Sequence, residues 1–350
     1  MGRKKRLLLL CVLAVLLLYL GAGTGWGGAL SQWLDRRAAA GQARAAAIAL
    51  GETAAPESAP AEPEETPDTV AETAPAAETV PPAAEGTDPA AGEAPTMTPD
   101  GVAIQATTIA GGLKLNNATS YDLDVEALLA EELPLKLPAE GPQILIIHTH
   151  GSEAYAQEAA DPYVESDPYR TQDPEHSVIR VGQALADVWT AAGLSVIHDT
   201  AVYDYPSYSG SYTRSGAAVE AYLAEYPNIA VVIDLHRDAL GTDPIYKVVA
   251  DSDTPMSQLM LLAATGENGL HHPNWRENLK LAVHFQAALV EQCPTLARPV
   301  SVKQERYNQH LTTGSLILEV GTTGNTLGEA VAATEAFGEA TAPFLLSLVS

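Results

Sequence analysis

The chain is poor in cysteine: its 350 residues include two, Cys11 and Cys293. One falls in an apolar run near the N-terminus and the other at the end of a predicted helix, so they do not pair. That excludes a disulfide framework and a thiolate zinc site. Positive charge is missing over a long stretch. Between Arg44 and Lys114 there is no Lys or Arg, while residues 52–100 carry twelve Asp and Glu. The formal net charge is −25. With no basic footprint, the composition argues against nucleic acid as a partner. The sequence also lacks an internal repeat and a serine nucleophile elbow. Gly321-Thr-Thr-Gly-Asn325 is glycine-rich but lacks the lysine of a phosphate-binding loop.

What is present divides unevenly. Residues 1–30 hold a basic cap, Met1-Gly-Arg-Lys-Lys-Arg6, followed by an unbroken apolar run from Leu7 to Leu20 and a weakly polar stretch to Leu30. About 20 such residues suffice to span a bilayer. The Lys/Arg cluster sets the N-terminus inside and the remainder outside. A cleaved signal peptide is the rival reading; no A-x-A site follows directly, which favours a retained transmembrane anchor. Residues 31–100 are rich in Pro, Ala, Glu and Thr and nearly devoid of aromatics. Such a stretch cannot bury enough apolar surface to fold, so it reads as an extended, disordered linker. Residues 101–140 form a lead-in, with a β-like stretch near Val102 and a short helix around Val125 to Glu132.

Residues 141–350 alternate strand and helix patterns. Ile144 to His148, Leu194 to His198, Ile229 to Leu235, Lys247 to Ala250, Val300 to Lys303 and Leu316 to Val320 read as strands. Glu175 to Ala192, with Val178, Val181, Leu185 and Val188 on one face, reads as a helix. So do Arg214 to Tyr226, Trp275 to Cys293 and Asn325 to Val349, the last with a kink or break expected at Pro343 near its end. The predicted fold is α/β, a mostly parallel sheet flanked by helices on both faces.

The chemistry gathers at strand ends, where open α/β sheets place their sites. Ile144-Leu-Ile-Ile-His-Thr-His-Gly151 and Ile229-Ala-Val-Val-Ile-Asp-Leu-His236 are apolar runs that end in imidazole. His150 precedes Gly151 and is expected in the turn above the sheet. The alternative is that His148 binds a metal and His150 supports it. His236 is followed by Arg237 and Asp238, where the chain leaves the core. His176, at a helix start, is a further candidate ligand, with Glu175 beside it as the alternative. Glu319 lies inside an apolar strand, where a carboxylate is costly unless paired or metal-linked. Three imidazoles, or two plus a carboxylate, with one open position are a catalytic zinc arrangement. A glutamate beside metal-activated water suits a general base, with Glu153 the next candidate. Arg237 and Arg306 are candidates for orienting a substrate carboxylate. The residues thus point to a metal-dependent hydrolase.

Several longer motifs carry a resemblance. Ile146-Ile-His-Thr-His-Gly-Ser-Glu-Ala-Tyr155, Val196-Ile-His-Asp199, Asp204-Tyr-Pro-Ser-Tyr-Ser-Gly-Ser-Tyr212, Asp234-Leu-His-Arg-Asp-Ala239 and Leu318-Glu-Val-Gly-Thr-Thr-Gly-Asn-Thr326 occur in this order. From about residue 102 onward the chain resembles the stage II sporulation protein P family, membrane-anchored peptidoglycan hydrolases of endospore-forming bacteria. The resemblance implies a zinc-amidase-like fold and an N-acetylmuramoyl-L-alanine amidase that also cleaves cross-linked stem peptides during engulfment. It implies Zn2+ on His150, His176 (or Glu175) and His236, with Glu319 catalytic. His176 departs from the Glu that the broader zinc amidases carry there. The implied partners are peptidoglycan and the companion sporulation proteins D, a lytic transglycosylase, and M, a polytopic membrane protein. The implied setting is a single-pass membrane protein with its catalytic domain between the mother-cell and forespore membranes. Competing readings are a zinc carboxypeptidase or deacetylase acting on cell wall, and a non-catalytic wall-binding module.

Overall fold

The computed structural model describes residues 95–99, 101–109, 111–241 and 244–350. The predicted anchor at 1–30, and the predicted linker as far as residue 94, lie outside them. Among the described residues no helix is long and apolar enough to cross a membrane.

In chain order the elements are β1 (Thr96–Met97), β2 (Ala103–Thr107), β3 (Leu115–Asn117), α1 (Val125–Ala130), β4 (Ile144–Ile147), α2 (Val178–Ala191) and β5 (Val196–His198). Then follow α3 (Ser211–Glu225), β6 (Val231–Asp238), β7 (Ile245–Val248), β8 (Leu259–Ala264), α4 (Trp275–Gln292), β9 (Val300–Lys303), a 3-10 turn (Gln309–Leu311), β10 (Ser315–Thr322) and α5 (Leu327–Ser347). Seven strands form the main sheet in the order β3-β9-β8-β10-β6-β4-β5. The pairs β10·β6, β6·β4 and β4·β5 are parallel, as are β8·β9 and β9·β3. One antiparallel join, β10 to β8, reverses the direction of half the sheet. The expected mostly parallel sheet is therefore mixed. Strand β8 escapes the sequence reading because its Leu-Met-Leu-Leu-Ala-Ala has no β-branched residue, and short runs of such residues read equally as helix.

Alternation along the strands separates two faces. Ile144, Ile146, Ile233, Leu235, Leu316, Leu318 and Leu261 pack with Leu185 and Trp189 of α2, Val283 and Phe285 of α4 and Phe337 of α5. On the opposite face Leu145, Ile147 and Val232 pack with Val219 of α3. Helix α3 covers only the β4–β6 side, so Glu319 on β10 and Met260 on β8, paired in register, stay half-buried. A second sheet, β1-β2-β7, is tied to the main one through Asn325. The Asn325 Oδ1 accepts from the amides of Val248 (3.2 Å) and Thr322 (3.0 Å), and its Nδ2 donates to Val248 O (2.9 Å).

Two helix ends differ from expectation. Helix α2 starts at Val178, because Ser177 caps it by accepting from the Ile179 amide, leaving Glu175 and His176 in the preceding turn. Helix α5 runs through Pro343 unbroken, which leaves a kink as the surviving half of the expectation. Phe337 and Leu345 on either side are fully buried, and Trp189 Nε1 donates to Thr341 Oγ1 at 3.1 Å, so packing holds the last turn in place.

Candidate active site

The register of β6 and β10 sets Glu319 opposite His236, and Ile317 opposite Asp234. Because Leu235, Leu318 and Val320 point into the helix-covered core, Asp234, His236 and Glu319 share the other face. The chain leaving β4 is bent toward that face by a clamp. The Thr149 amide and Oγ1 donate to the two oxygens of Asp234 at 2.8 and 2.6 Å, and Thr149 Oγ1 lies 2.7 Å from Ser215 Oγ on α3. The bend brings the His150 ring edge-on to His236, with centroids 5.2 Å apart. Three residues on, the Glu153 amide donates to His150 O (3.1 Å), which turns the Glu153 carboxylate back into the site. Its Oε2 lies 3.5 Å from His236 Nδ1 and accepts from the Arg237 amide at 3.1 Å.

Aromatic rings close the group. Tyr208 stacks on His150 at 4.5 Å, and Tyr212 meets His150 edge-on at 5.6 Å and lies nearly parallel to His236 at 6.5 Å. Asp204, buried behind, accepts from Ser152 Oγ (2.5 Å) and Arg170 Nη1 (2.7 Å), with its Oδ2 4.0 Å from His150 Nδ1.

The electrostatics follow from this crowding. Burial opposes a charge on His236, but the Asp234 and Glu153 carboxylates outweigh it and hold the imidazole well above its ordinary value. Asp234 Oδ1 lies 2.9 Å from His236 Nε2, a close ionic contact without hydrogen-bond alignment. Glu153 is pushed up by burial, yet His236 and Arg237 bring it well below the usual carboxylate range. Glu319 goes the other way. Burial, reinforced by the Asp238 carboxylate and against the pull of His236, raises it to about 8. Its Oε2 has no hydrogen-bond partner among the described residues.

The structure thus brings together His150, His236 and Glu319, and adds Glu153. It does not bring His176 to this group. The His176 ring lies between Asp173 (2.9 Å) and Asp161 (3.2 Å) on the surface, and the same Asp173 accepts from the Glu175 amide. His148 points to the helix side, where Nδ1 donates to Leu235 O and Nε2 meets His198 Nε2, both at 2.9 Å. Arg237 is buried, and its guanidinium donates to Ala154 O (2.9 Å) and Tyr169 O (3.1 Å), so it braces the loop after His150. Arg306 reaches His271 O at 3.5 Å, at another part of the fold. Asp234, Asp204 and the two tyrosines were not legible as site residues. They act through contacts across the fold, and only the His150-Gly-Ser-Glu153 spacing hinted that a carboxylate returns beside the imidazole.

The donors suit a zinc ion chemically. Two imidazoles and one carboxylate are a catalytic zinc set, and two rings on one tetrahedral ion have centroids about 5 Å apart. Glu153 and Asp234 already stabilise positive charge at the same spot. Among the described residues no three such side chains close into full ligating geometry; Glu153 and Asp234 instead draw His236 into ionic contacts.

Comparison with known proteins gives the chain its relatives. The stage II sporulation protein P (SpoIIP) family profile matches residues 50–342. Stage II sporulation protein P of Bacillus subtilis (strain 168) is 26% identical over 211 residues, 56% of this chain and 50% of that protein. The match therefore spans half the length of that curated relative. Among solved structures, the CwlD amidase from Clostridioides difficile in complex with the GerS lipoprotein is similar at 12% identity and a TM-score of 0.37, covering 59% of this chain and 98% of that one. The N-acetylmuramoyl-L-alanine amidase AmiC2 of Nostoc punctiforme gives 12% and 0.34, covering 59% and 97%. With the profile extending over most of its length, the chain belongs to the stage II sporulation protein P family.

Proposed function

We propose that the chain is a zinc-dependent peptidoglycan hydrolase that cleaves the amide between N-acetylmuramic acid and L-alanine. His150, Glu153 and His236 would hold the metal and Glu319 would move the proton. One observation carries this reading: two imidazoles and a carboxylate meet at 5.2 and 3.5 Å beside a carboxyl that burial holds near neutrality. Family membership supports it. In this assignment Glu153 takes the place expected of His176 or Glu175.

Zinc bound there would polarise the scissile carbonyl and activate a water toward neutral pH. The chain's own residues do the rest. Asp234 lies against the Nε2 side of His236 and supplies negative charge there that favours a bound cation. Tyr208 and Tyr212 cover the imidazoles and exclude bulk water. Nearby positive charge favours the carboxylate form of Glu319. From that form it takes a proton at Oε2 and returns it to the leaving amine of L-alanine, as a group whose pKa lies near working pH does best. The same apparatus serves cross-linked stem peptides, on the family resemblance. The basic cap, the apolar run from Leu7 and the acidic linker support a retained anchor with the catalytic domain outside the cytoplasm. They also support work beside the companion sporulation proteins D and M.

The test is product analysis with the full chain in detergent on purified peptidoglycan. The expected product is the free α-amine of L-alanine, lost on chelation and regained with zinc. Release of single D-amino acids or acetate, with no L-alanine amine, would replace the reading by a carboxypeptidase or deacetylase.

A further inference from the structure

Away from the catalytic face the fold builds a second cluster of nitrogen donors. Because β8 runs antiparallel to β10, β8 and β9 end at the sheet edge opposite the one where β6 and β10 end. The loops leaving them are tied together. The amides of Thr265 and Gly266 donate to Glu305 O at 3.1 and 2.9 Å, and the Asn268 amide donates to Gln304 O at 3.2 Å. Gly266 has φ +70°, and a Cβ there would overlap Leu270 O and press on the His272 side chain, so the turn closes only with glycine.

His272, 5% exposed, is held inside this tie. Its ring lies edge-on to His310, with centroids 6.4 Å apart, and Asn274 Nδ2 fixes the His310 carbonyl at 3.0 Å. Arg306 belongs to the same tie. Neither ring nitrogen of His272, nor Nδ1 of His310, nor Nε of Arg306 has a hydrogen-bond partner among the described residues. Native proteins satisfy such buried groups, so the Arg306 Nε–H and the one N–H of a neutral His272 ring call for an acceptor. A guanidinium N–H only donates, and a neutral imidazole donates one N–H. Burial, with the charges of His310, Arg306 and His271, takes His272 down to about 4, so it is neutral at physiological pH. Among the described residues the fixed charge acting on it is Arg306, which repels a metal cation. Glu220 faces His310 from an exposed position on α3.

We propose that Arg306, His272 and His310 form a binding site for a small oxyanion, a carboxylate or a phosphate, separate from the catalytic centre. The neighbour of Arg306, Tyr307, packs 5.3 Å from Tyr212, the ring that flanks His150 and His236. The edge carrying the cluster lies about 13 Å from Glu319 along β10, four residues at strand rise. An extended peptide of about four residues covers that span, so a peptide carboxylate is one source of the anion and a phosphate the other.

Imidazole 15N–1H NMR of the full chain tests the site without using activity. The probes are N-acetyl-D-alanyl-D-alanine, its C-terminal amide and inorganic phosphate. The His272 and His310 resonances should shift saturably with the carboxylate or the phosphate and not with the amide, and whichever acts identifies the source. Arg306→Gln should weaken that binding about tenfold or more. Rings unmoved by either anion, an equal response in Arg306→Gln, or a response to zinc alone would each overturn the proposal. Should Arg306→Gln not fold, the wild-type titration decides alone.

Discussion

His148 and His150 stand two residues apart, both buried, and each meets a second histidine. His148 faces the helix side, where a carbonyl accepts its Nδ1 proton and its Nε2 accepts from His198. Burial, aided by His198, drives His148 down to about 3, and burial takes His198 to about 4. His150 faces the other way and meets His236 among Asp234, Glu153 and Asp204. There burial is outweighed, and His236 rises well above its ordinary value. Exposure does not separate the packing pair from the reactive pair. Carboxylates do: the face that gathers them stabilises positive charge, whether a proton or a metal ion supplies it.

The largest effect should come at Glu319, beside the reactive pair. Glu319→Gln keeps shape and removes the proton acceptor, so hydrolysis should fall by about 10²-fold or more. On the proposed function, zinc should stay bound and any cleavage of stem peptides should fall together with amidase activity. Loss of zinc in that variant would make Glu319 a ligand.

The packing pair should answer in stability alone. Gly182 on α2 sits against it, and a Cβ there would come within 2.5 Å of the His148 ring and 2.9 Å of His198 Nε2. Gly182→Ala should cost about 1–3 kcal/mol, the usual range for overpacking. The melting temperature should drop while zinc content per folded molecule stays unchanged. A variant that kept its melting temperature but lost metal would erase the distinction between the pairs.

Acid separates the pairs more gently. The unfolded imidazole titrates near 6.5 and folded His148 near 3. Between these values the unfolded chain binds more protons, so stability falls as pH drops below about 6.5, by up to about 1.4 kcal/mol per pH unit for this ring. Raised His236 acts in reverse in metal-free protein: its contribution is complete below about 6.5 and is lost as pH rises through its folded value. Denaturant titrations at pH 7 and pH 5 should therefore show a flatter acid limb in His148→Gln than in wild type. An unchanged slope would mean that the ring is not held neutral.

Much of this was legible in the chain. The apolar runs ending in His148, His236 and Glu319 mark three strands whose carboxyl ends share one sheet edge, and periodicity marks α2 and α4. Three features were not. Strand β8 lacks β-branched residues, so nothing local announced the antiparallel join. A helix read from Glu175 starts α2 three residues early and makes His176 look like a ligand at a helix start, whereas Ser177 caps the helix and Asp173 holds the ring. The roles of Asp234 and Glu153 depend on the parallel register of β4 with β6 and on the turn after His150, which place carboxylates against rings from distant parts of the chain.

The proposed metal site turns on Glu153, the carboxylate that the fold, and not the sequence pattern, delivers to the two imidazoles. Its most direct test is the zinc content of the full chain in Glu153→Ala and His176→Ala, measured on folded, zinc-equilibrated protein. Glu153→Ala should lose the metal and His176→Ala should keep the wild-type complement. Zinc retained without Glu153, or lost without His176, would contradict the assignment.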